Sequence, residues 1–296
     1  MAMGTKDIVE KTLEGIPEIF ADIVNGLLFH GEQIIFPDEL EDMLPRSIYK
    51  LGSRAREMER DVVKRWKKNN IRIAVVGLEN QSEEDPLMPL RIYGYNGAEY
   101  QAQVRSDERP CVPVVTLVLY FGYKKRWSTA RNLYEAVDVP EIFRPYVEDI
   151  KINLFEIAYL SREQVELFQS DFRIVADYFV QMRETGDYRP KPEKVHHIQE
   201  VLQLLSAVCE DKRFEETLNG VEKEEVQTMC DVLDRIENRG FRNGQEIGQE
   251  KGMKMGENKM AKLVSTLLAL GRMVDIERVA ADPEYREALY QEFGIA

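Results

Sequence analysis

The stretch DVVKRWKKNNIRIAVVGLENQ, residues 61–81, decides the fold. Its second half, residues 71–78, is aliphatic apart from Arg72 and Gly77 and has the length of a buried strand. Residues 61–66 read as a shorter neighbouring strand, and residues 112–121 supply another apolar run. Ahead of them, residues 16–29 place Ile19, Phe20, Ile23, Val24 and Leu27 at helical spacing, the pattern of an amphipathic helix. Residues 88–104 suit a helix between the strands despite Gly94 and Gly97. The order helix, strands, helix, strand predicts an α/β core within residues 1–150.

Working outward, the pattern turns helical from about residue 150. Residues 161–182 place Val165, Phe168, Phe172, Val175 and Phe179 three or four apart, with Ser161 and Gln164 as a capping box. Further helices are expected over 201–209 and 221–236, making residues 151–236 a helical extension. Gly240, Gly244, Gly248, Gly252 and Gly256 then recur at every fourth position in a helical linker, 237–260, before a small helical segment, 261–296. Each glycine inside a helix costs about 0.8–1 kcal/mol relative to alanine unless close packing recovers it. Glycine at this spacing brings helix backbones together in membranes, but Arg242, Glu246, Glu250, Lys251 and Lys254 lie between these glycines and exclude that setting. A solvated linker is the plain reading of the repeat; a homo-oligomer seam is the sharper one.

The 296 residues carry 40 Lys and Arg against 53 Asp and Glu, a net charge of -13. That balance excludes a generally basic nucleic-acid coat protein. The signs are uneven, however. Residues 1–49 hold 3 basic and 10 acidic side chains, residues 50–126 hold 15 and 10, and residues 127–296 hold 22 and 33. The segment containing the strands is therefore basic, at +5, within an acidic chain. The longest apolar run, 111–122, is about half the length of a bilayer-spanning helix, so no membrane role is expected. Lys6, Asp7, Glu10 and Lys11 leave no apolar core for a secretory signal. Cys111, Cys209 and Cys230 fit reduced, buried thiols, and a cytoplasmic location.

Chemistry concentrates between residues 57 and 103. Asp61 opens one extended segment and Glu79 closes the next; an antiparallel hairpin would bring two such carboxylates toward one divalent cation. Magnesium takes one or two carboxylates together with waters and phosphate oxygens, which suits the pair. Gln81, two residues beyond Glu79, falls on the same strand face. Asp22, among core-facing residues, is a candidate to support the metal site, although a solvent-facing or capping carboxylate is the plainer reading. His30, His196 and His197 lack zinc-ligand spacing, and Trp66 and Trp127 read as core aromatics rather than base-stacking platforms.

These pieces resemble the recombination-promoting nuclease and putative transposase family of bacteria, within the PD-(D/E)xK nuclease superfamily. The resemblance runs from Phe20, Ala21, Asp22, Ile23, Val24 and Asn25 through Glu59, Arg60, Asp61 and Val62 to Gly77, Leu78, Glu79, Asn80 and Gln81. It continues through Met88, Pro89, Leu90, Arg91 and Ile92, then Tyr95, Tyr100 and Gln103, the strand before Gly122, Trp127 and the glycine-repeat tail. It implies a restriction-endonuclease-like core with a helical C-terminal extension. It also implies a magnesium-dependent DNA endonuclease (hydrolase) that promotes recombination, with Asp61 and Glu79 as metal ligands. Gln81 stands where the superfamily carries lysine, and offers a neutral donor and acceptor in place of a charge.

Arg60, Lys64, Arg65, Lys67, Lys68 and Arg91 are candidate contacts to the DNA backbone, with Lys124, Lys125 and Arg126 following the last core strand. Solvated strand faces and surface ion pairs would account for the same charges. The competing functional reading is a catalytically weak or inactive nuclease-fold module that binds DNA or protein. Neither a three-carboxylate strand-transfer set nor a helix-turn-helix reader is visible.

Overall fold

The computed structural model describes residues 13–43, 46–51, 54–59, 62–68, 71–78, 84–106, 110–209, 213–214, 217 and 227–295. The chain divides into two compact units, Met1–Leu233 and Asp234–Ala296. The first is mixed α/β around a five-stranded sheet, and the C-terminal part is helical.

Helix α1, Pro17–Leu28, begins on a proline whose missing N–H costs nothing there, and buries Ile19, Phe20, Ile23 and Val24 completely. The chain then forms β1 (Leu40–Asp42), a separate hairpin of β2 (Arg46–Leu51) and β3 (Arg54–Glu59), β4 (Val62–Trp66) and β5 (Ile71–Leu78). Helix α2, Met88–Arg105, crosses over to β6, Val114–Tyr120. After the short helix α3 (Leu133–Ala136) comes β7 (Asn153–Glu156). The main sheet has the order β1-β4-β5-β6-β7. β1, β4 and β5 pair antiparallel, whereas β5, β6 and β7 are parallel, as a helical crossover between β5 and β6 requires.

Cross-strand register sorts the side chains by face. Lys64 pairs with Ile73, and its ammonium lies 5.7 Å from the Phe20 ring centroid, so α1 covers this face. Arg65 pairs with Arg72, and Arg72 meets Glu99 of α2 in an ion pair with side chains 5% and 8% exposed. On the same face Thr116 donates to Asn96 of α2 at 2.8 Å. Met88, Ile92 and Tyr95 of α2 pack with Val118, Tyr120, Trp127 and Ile152 in one buried cluster.

The periodic stretch 161–182 is two helices rather than one. The Ser161 and Gln164 capping box is present on α4, Arg162–Val165, but the helix stops there and α5 runs over Phe172–Thr185. The break has a long-range cause. Asp22 of α1, 5% exposed, accepts hydrogen bonds from the Gln169 and Ser170 amides and the Ser170 hydroxyl, satisfying that backbone without a helix. Gly186, with φ +71°, closes α5 in the left-handed conformation. Helix α6 (Ile198–Cys209) follows, and the expected helix over 221–236 is represented only from residue 229, since 218–226 lie outside the described residues. The exposure of Cys111 corrects the expectation of buried thiols; Cys209 and Cys230 are half-buried.

Helix α7, Met229–Ala269, carries the glycine repeat without interruption. A Cβ at any of Gly240, Gly244, Gly248, Gly252 or Gly256 would meet nothing within 4 Å, so no close packing among the described residues offsets their helix cost. In the second unit, α8 (Met273–Ala281) and α9 (Pro283–Glu292) fold back so that Leu263, Leu267, Val279 and Leu289 form a small core of their own. No described helix is long and apolar enough to cross a membrane.

Candidate active site

The antiparallel pairing of β4 with β5 sets the geometry. Val62, the first residue of β4, lies opposite Val75, and Leu78 ends β5 three residues further on. The strand ends next to positions 61 and 79 therefore share one end of the sheet, offset by roughly 10 Å along the strand direction. Asp61, Glu79, Gln81 and Arg60 themselves lie outside the described residues. Across the same end, Leu78 pairs with Tyr120 and Tyr120 with Glu156. This is the carboxyl end of the parallel strands, where open α/β sheets place their ligands.

A basic loop is fastened over that end by two poorly exposed carboxylates. Glu84, whose side chain is 5% exposed, accepts from Lys125 Nζ at 2.8 Å, from the Ser128 hydroxyl at 2.9 Å and from the Ser128 amide. Burial pushes the Glu84 carboxyl upward, but Lys125 and Ser128 outweigh it and hold it below the ordinary range. Glu156, 11% exposed, accepts from the Trp127 amide at 2.9 Å and from Arg131 at 3.1 Å, with Arg126 at 3.7 Å. The cations keep about half their surface in water: Lys125 is 50% exposed, Arg131 51% and Arg126 63%. Lys124 is exposed as well.

Tyr120 sets the path of the loop. Its hydroxyl donates to the Lys125 carbonyl at 3.2 Å, and its ring stands edge-on to Trp127 at 5.4 Å. Burial, followed by the nearby Glu84, Tyr159 and Glu156, pushes the phenol up to about 12, so it stays a neutral donor. The chain passes so close beneath the ring that a Cβ at Gly122 would lie 2.2 Å from the Tyr120 hydroxyl oxygen. Only glycine fits there.

The other sequence candidates are dispersed. Arg91 sits in the first turns of α2 at this end, bonded to Asp85 at 2.9 Å and to the Tyr95 hydroxyl at 3.2 Å. Lys67 and Lys68 follow Trp66 at the opposite end of β4, about five residues or 17 Å from its start. The hairpin thus separates them from the strand ends that flank positions 61 and 79. Lys68 lies 3.4 Å from Glu39. Lys64 is turned inward, 1% exposed and paired with Asp42, while Arg65 is half-buried beside Arg72. Trp66 and Trp127 are core aromatics, each 4% exposed. Among the described residues no group of three or more His, Cys, Asp or Glu could hold a metal ion, so the magnesium expectation rests on Asp61 and Glu79.

The sequence did not single out Glu84, Glu156, Tyr120 or Ser128. The available signal was the placement of Glu84 and Glu156 on either side of a cationic loop, although their pairing spans 25 to 44 residues and has no local period.

Among known proteins, a family described as "Putative transposase, YhgA-like" matches residues 64–211, half of the chain. No curated protein and no solved structure matches it.

Proposed function

Because the chain belongs to the family of YhgA-like putative transposases, we propose that it acts on DNA as a magnesium-dependent endonuclease that promotes recombination through the breaks it makes. The observation that carries this reading is the β4/β5 register, which places the ends next to Asp61 and Glu79 at one end of the sheet, beside a basic loop. The order α1, antiparallel strands, α2, parallel β6 supports a PD-(D/E)xK core.

In this reading Asp61 and Glu79 hold the ion, and two carboxylates are the donor set magnesium favours. Bound there, it supplies a Lewis acid that polarises the scissile phosphate and lowers the pKa of a water. The chain's own side chains position the reactants. Gln81 orients a water or phosphate oxygen through its amide. Arg91, Lys124, Lys125, Arg126 and Arg131 hold the DNA backbone by charge-assisted bonds. Lys64, being turned inward, serves the fold, and Lys67 and Lys68 meet DNA only where the duplex extends past the far end of the sheet. A second copy docks through the open glycine face of α7; ultracentrifugation of a chain cut before Gly240 would show a single copy where the full chain sediments as a multiple, and an unchanged number of copies would remove the seam.

Plasmid cleavage tests the reading. Nicked or linear product is expected with magnesium, and not with chelator or in Asp61→Ala or Glu79→Ala. Equal product from all four sinks the enzyme. A magnesium-independent gel shift without cleavage would favour the DNA-binding module instead.

A further inference from the structure

Two guanidinium groups share one tyrosine ring. The turn Ile157–Tyr159 follows β7 and packs against α5, with Tyr159 half-buried. Arg126, from the basic loop, lies 4.5 Å from its ring centroid, and Arg183 of α5 lies 5.2 Å from it. The two guanidinium carbons are therefore at most about 10 Å apart, about one Debye length at 0.1 M salt, and the charges repel. Their own carboxylates are shared. Glu156 serves Arg131 at 3.1 Å as well as Arg126 at 3.7 Å, and Glu184 serves Arg162 as well as Arg183 at 2.7 Å. The Nε of Arg183 is sealed from water without a hydrogen-bond partner among the described residues, and its Nη1 makes no hydrogen bond among them either. Glu184, the next residue along the helix, holds only Nη2. A solvent-facing pair of this kind contributes little, so an incoming anion competes with it readily.

We infer that Arg183, set with Arg126 against Tyr159, holds a backbone phosphate of the DNA, so that α5 of the helical extension forms part of the DNA track. This contact rests on the DNA reading proposed above and carries it beyond the core. The loop and α5 already run together. Tyr123 of the loop meets Phe179 of α5 with ring centroids 6.3 Å apart, and Lys124 lies 6.0 Å from the Tyr123 centroid. Arg183 follows one turn after Phe179, where Arg126 joins it at Tyr159, so Lys124, Arg126 and Arg183 line one seam. A guanidinium suits a phosphate there. Its planar fork matches two phosphate oxygens, and a ring that already holds its plane leaves little freedom to lose on binding. At 3.4 Å per step along one strand, a separation of at most about 10 Å is about three steps, so the two arginines reach separate phosphates of the same strand.

Anisotropy of a short fluorescein-labelled duplex with the full chain, in chelator and over a series of salt concentrations, tests the contact. Arg183→Gln keeps a planar group at the ring and removes the charge. The slope of log binding constant against log salt should fall by about 0.9, one phosphate contact, which at 0.1 M salt is a loss of about eightfold in affinity. Arg183→Lys keeps the charge and should keep the slope. Arg189→Ala removes an exposed cation paired with Asp187 in the same extension and should leave the slope unchanged. Should circular dichroism show Arg183→Gln unfolded, Arg183→Met, which keeps the stem against the ring, is read for the same slope. An unchanged slope in the uncharged variant overturns the contact and leaves the DNA reading standing. A slope lowered equally in Arg183→Lys or Arg189→Ala also overturns it, since packing or total charge is then the cause. A native chain that binds no duplex removes the DNA reading and this contact together.

Discussion

Two ends of one sheet use the same pairing of carboxylate and cation to opposite effect. Near the start of β5, Arg72 and Glu99 are both buried, and Lys64 is enclosed under α1 while its partner Asp42 stays exposed. At the carboxyl ends of β5, β6 and β7, only the carboxylates are enclosed: Glu84 and Glu156 are anchors, while Lys125, Arg126 and Arg131 stay half in water. In the first region the cation belongs to the fold. In the second the acid belongs to the fold and the cation faces outward, available to a phosphate. A count of charges along the sequence cannot tell these apart, because each region contributes pairs that nearly cancel.

The comparison breaks most visibly at Glu99. Glu99→Ala removes the carboxylate from a buried guanidinium, and losing one partner of a buried pair costs about 3–5 kcal/mol. Urea denaturation of the variant should show a loss of that size; a change under about 1 kcal/mol would mean that the pair is hydrated and the two ends are alike. Glu84→Ala is expected to cost less, about 1–3 kcal/mol, because the Lys125 and Ser128 groups it orphans can reach water. Its clearer sign is local. Limited proteolysis should cut the loop 121–131 faster while β4 and β5 remain protected, and cleavage spread evenly over the unit would contradict the anchoring role.

Lys124→Ala sharpens the other side of the contrast. Stability should move by less than about 0.5 kcal/mol, as for most exposed positions. The slope of log binding constant against log salt for duplex DNA should fall by about 0.9, the value for one lost phosphate contact. Lys64→Met should do the reverse, lowering stability and leaving the slope in place. If Lys64→Met changes the slope and Lys124→Ala does not, the assignment of the two regions is inverted.

How far these regions could be foreseen follows from how local their signals are. The aliphatic run of β5 and the helical spacing of α1 are visible because burial repeats along a single element. β1 and β7 have three and four residues and mostly polar or half-exposed side chains, too short to show a period. Lys64 reads in sequence as a DNA-backbone contact or one position of a solvated face, since alternation tells which residues share a face but not that α1 would cover it. Asp22 reads in sequence as a metal support or as a solvent-facing or capping carboxylate, and nothing local says that it accepts from the Ser170 amide, 148 residues away, in the turn before α5. For the candidate site, the strand order was legible and the clamp was not: Glu84 lies in a polar run, and nothing local ties it to Ser128.

The smallest effect concerns the pH range over which that clamp holds. The Tyr120 phenol is pushed up to about 12 by burial and by Glu84, Tyr159 and Glu156, whereas an ordinary phenol ionises near 10. The protonated form is the one favoured on folding, so its contribution is complete below about pH 10 and is lost as pH rises toward about 12. Glu84 has the opposite sign. Its carboxyl is held below the ordinary 4.5, so its contribution is complete above that value and is lost as pH falls through the lowered one. The loop should therefore be firmest between these limits and loosen by different groups at each side. Near-ultraviolet phenolate absorbance of the native chain minus that of Tyr120→Phe isolates one titration among thirteen tyrosines, expected close to 12. A midpoint at 10 would mean that water reaches the hydroxyl, and the end of the sheet assigned to DNA would then lack a fixed loop from which to present its cations.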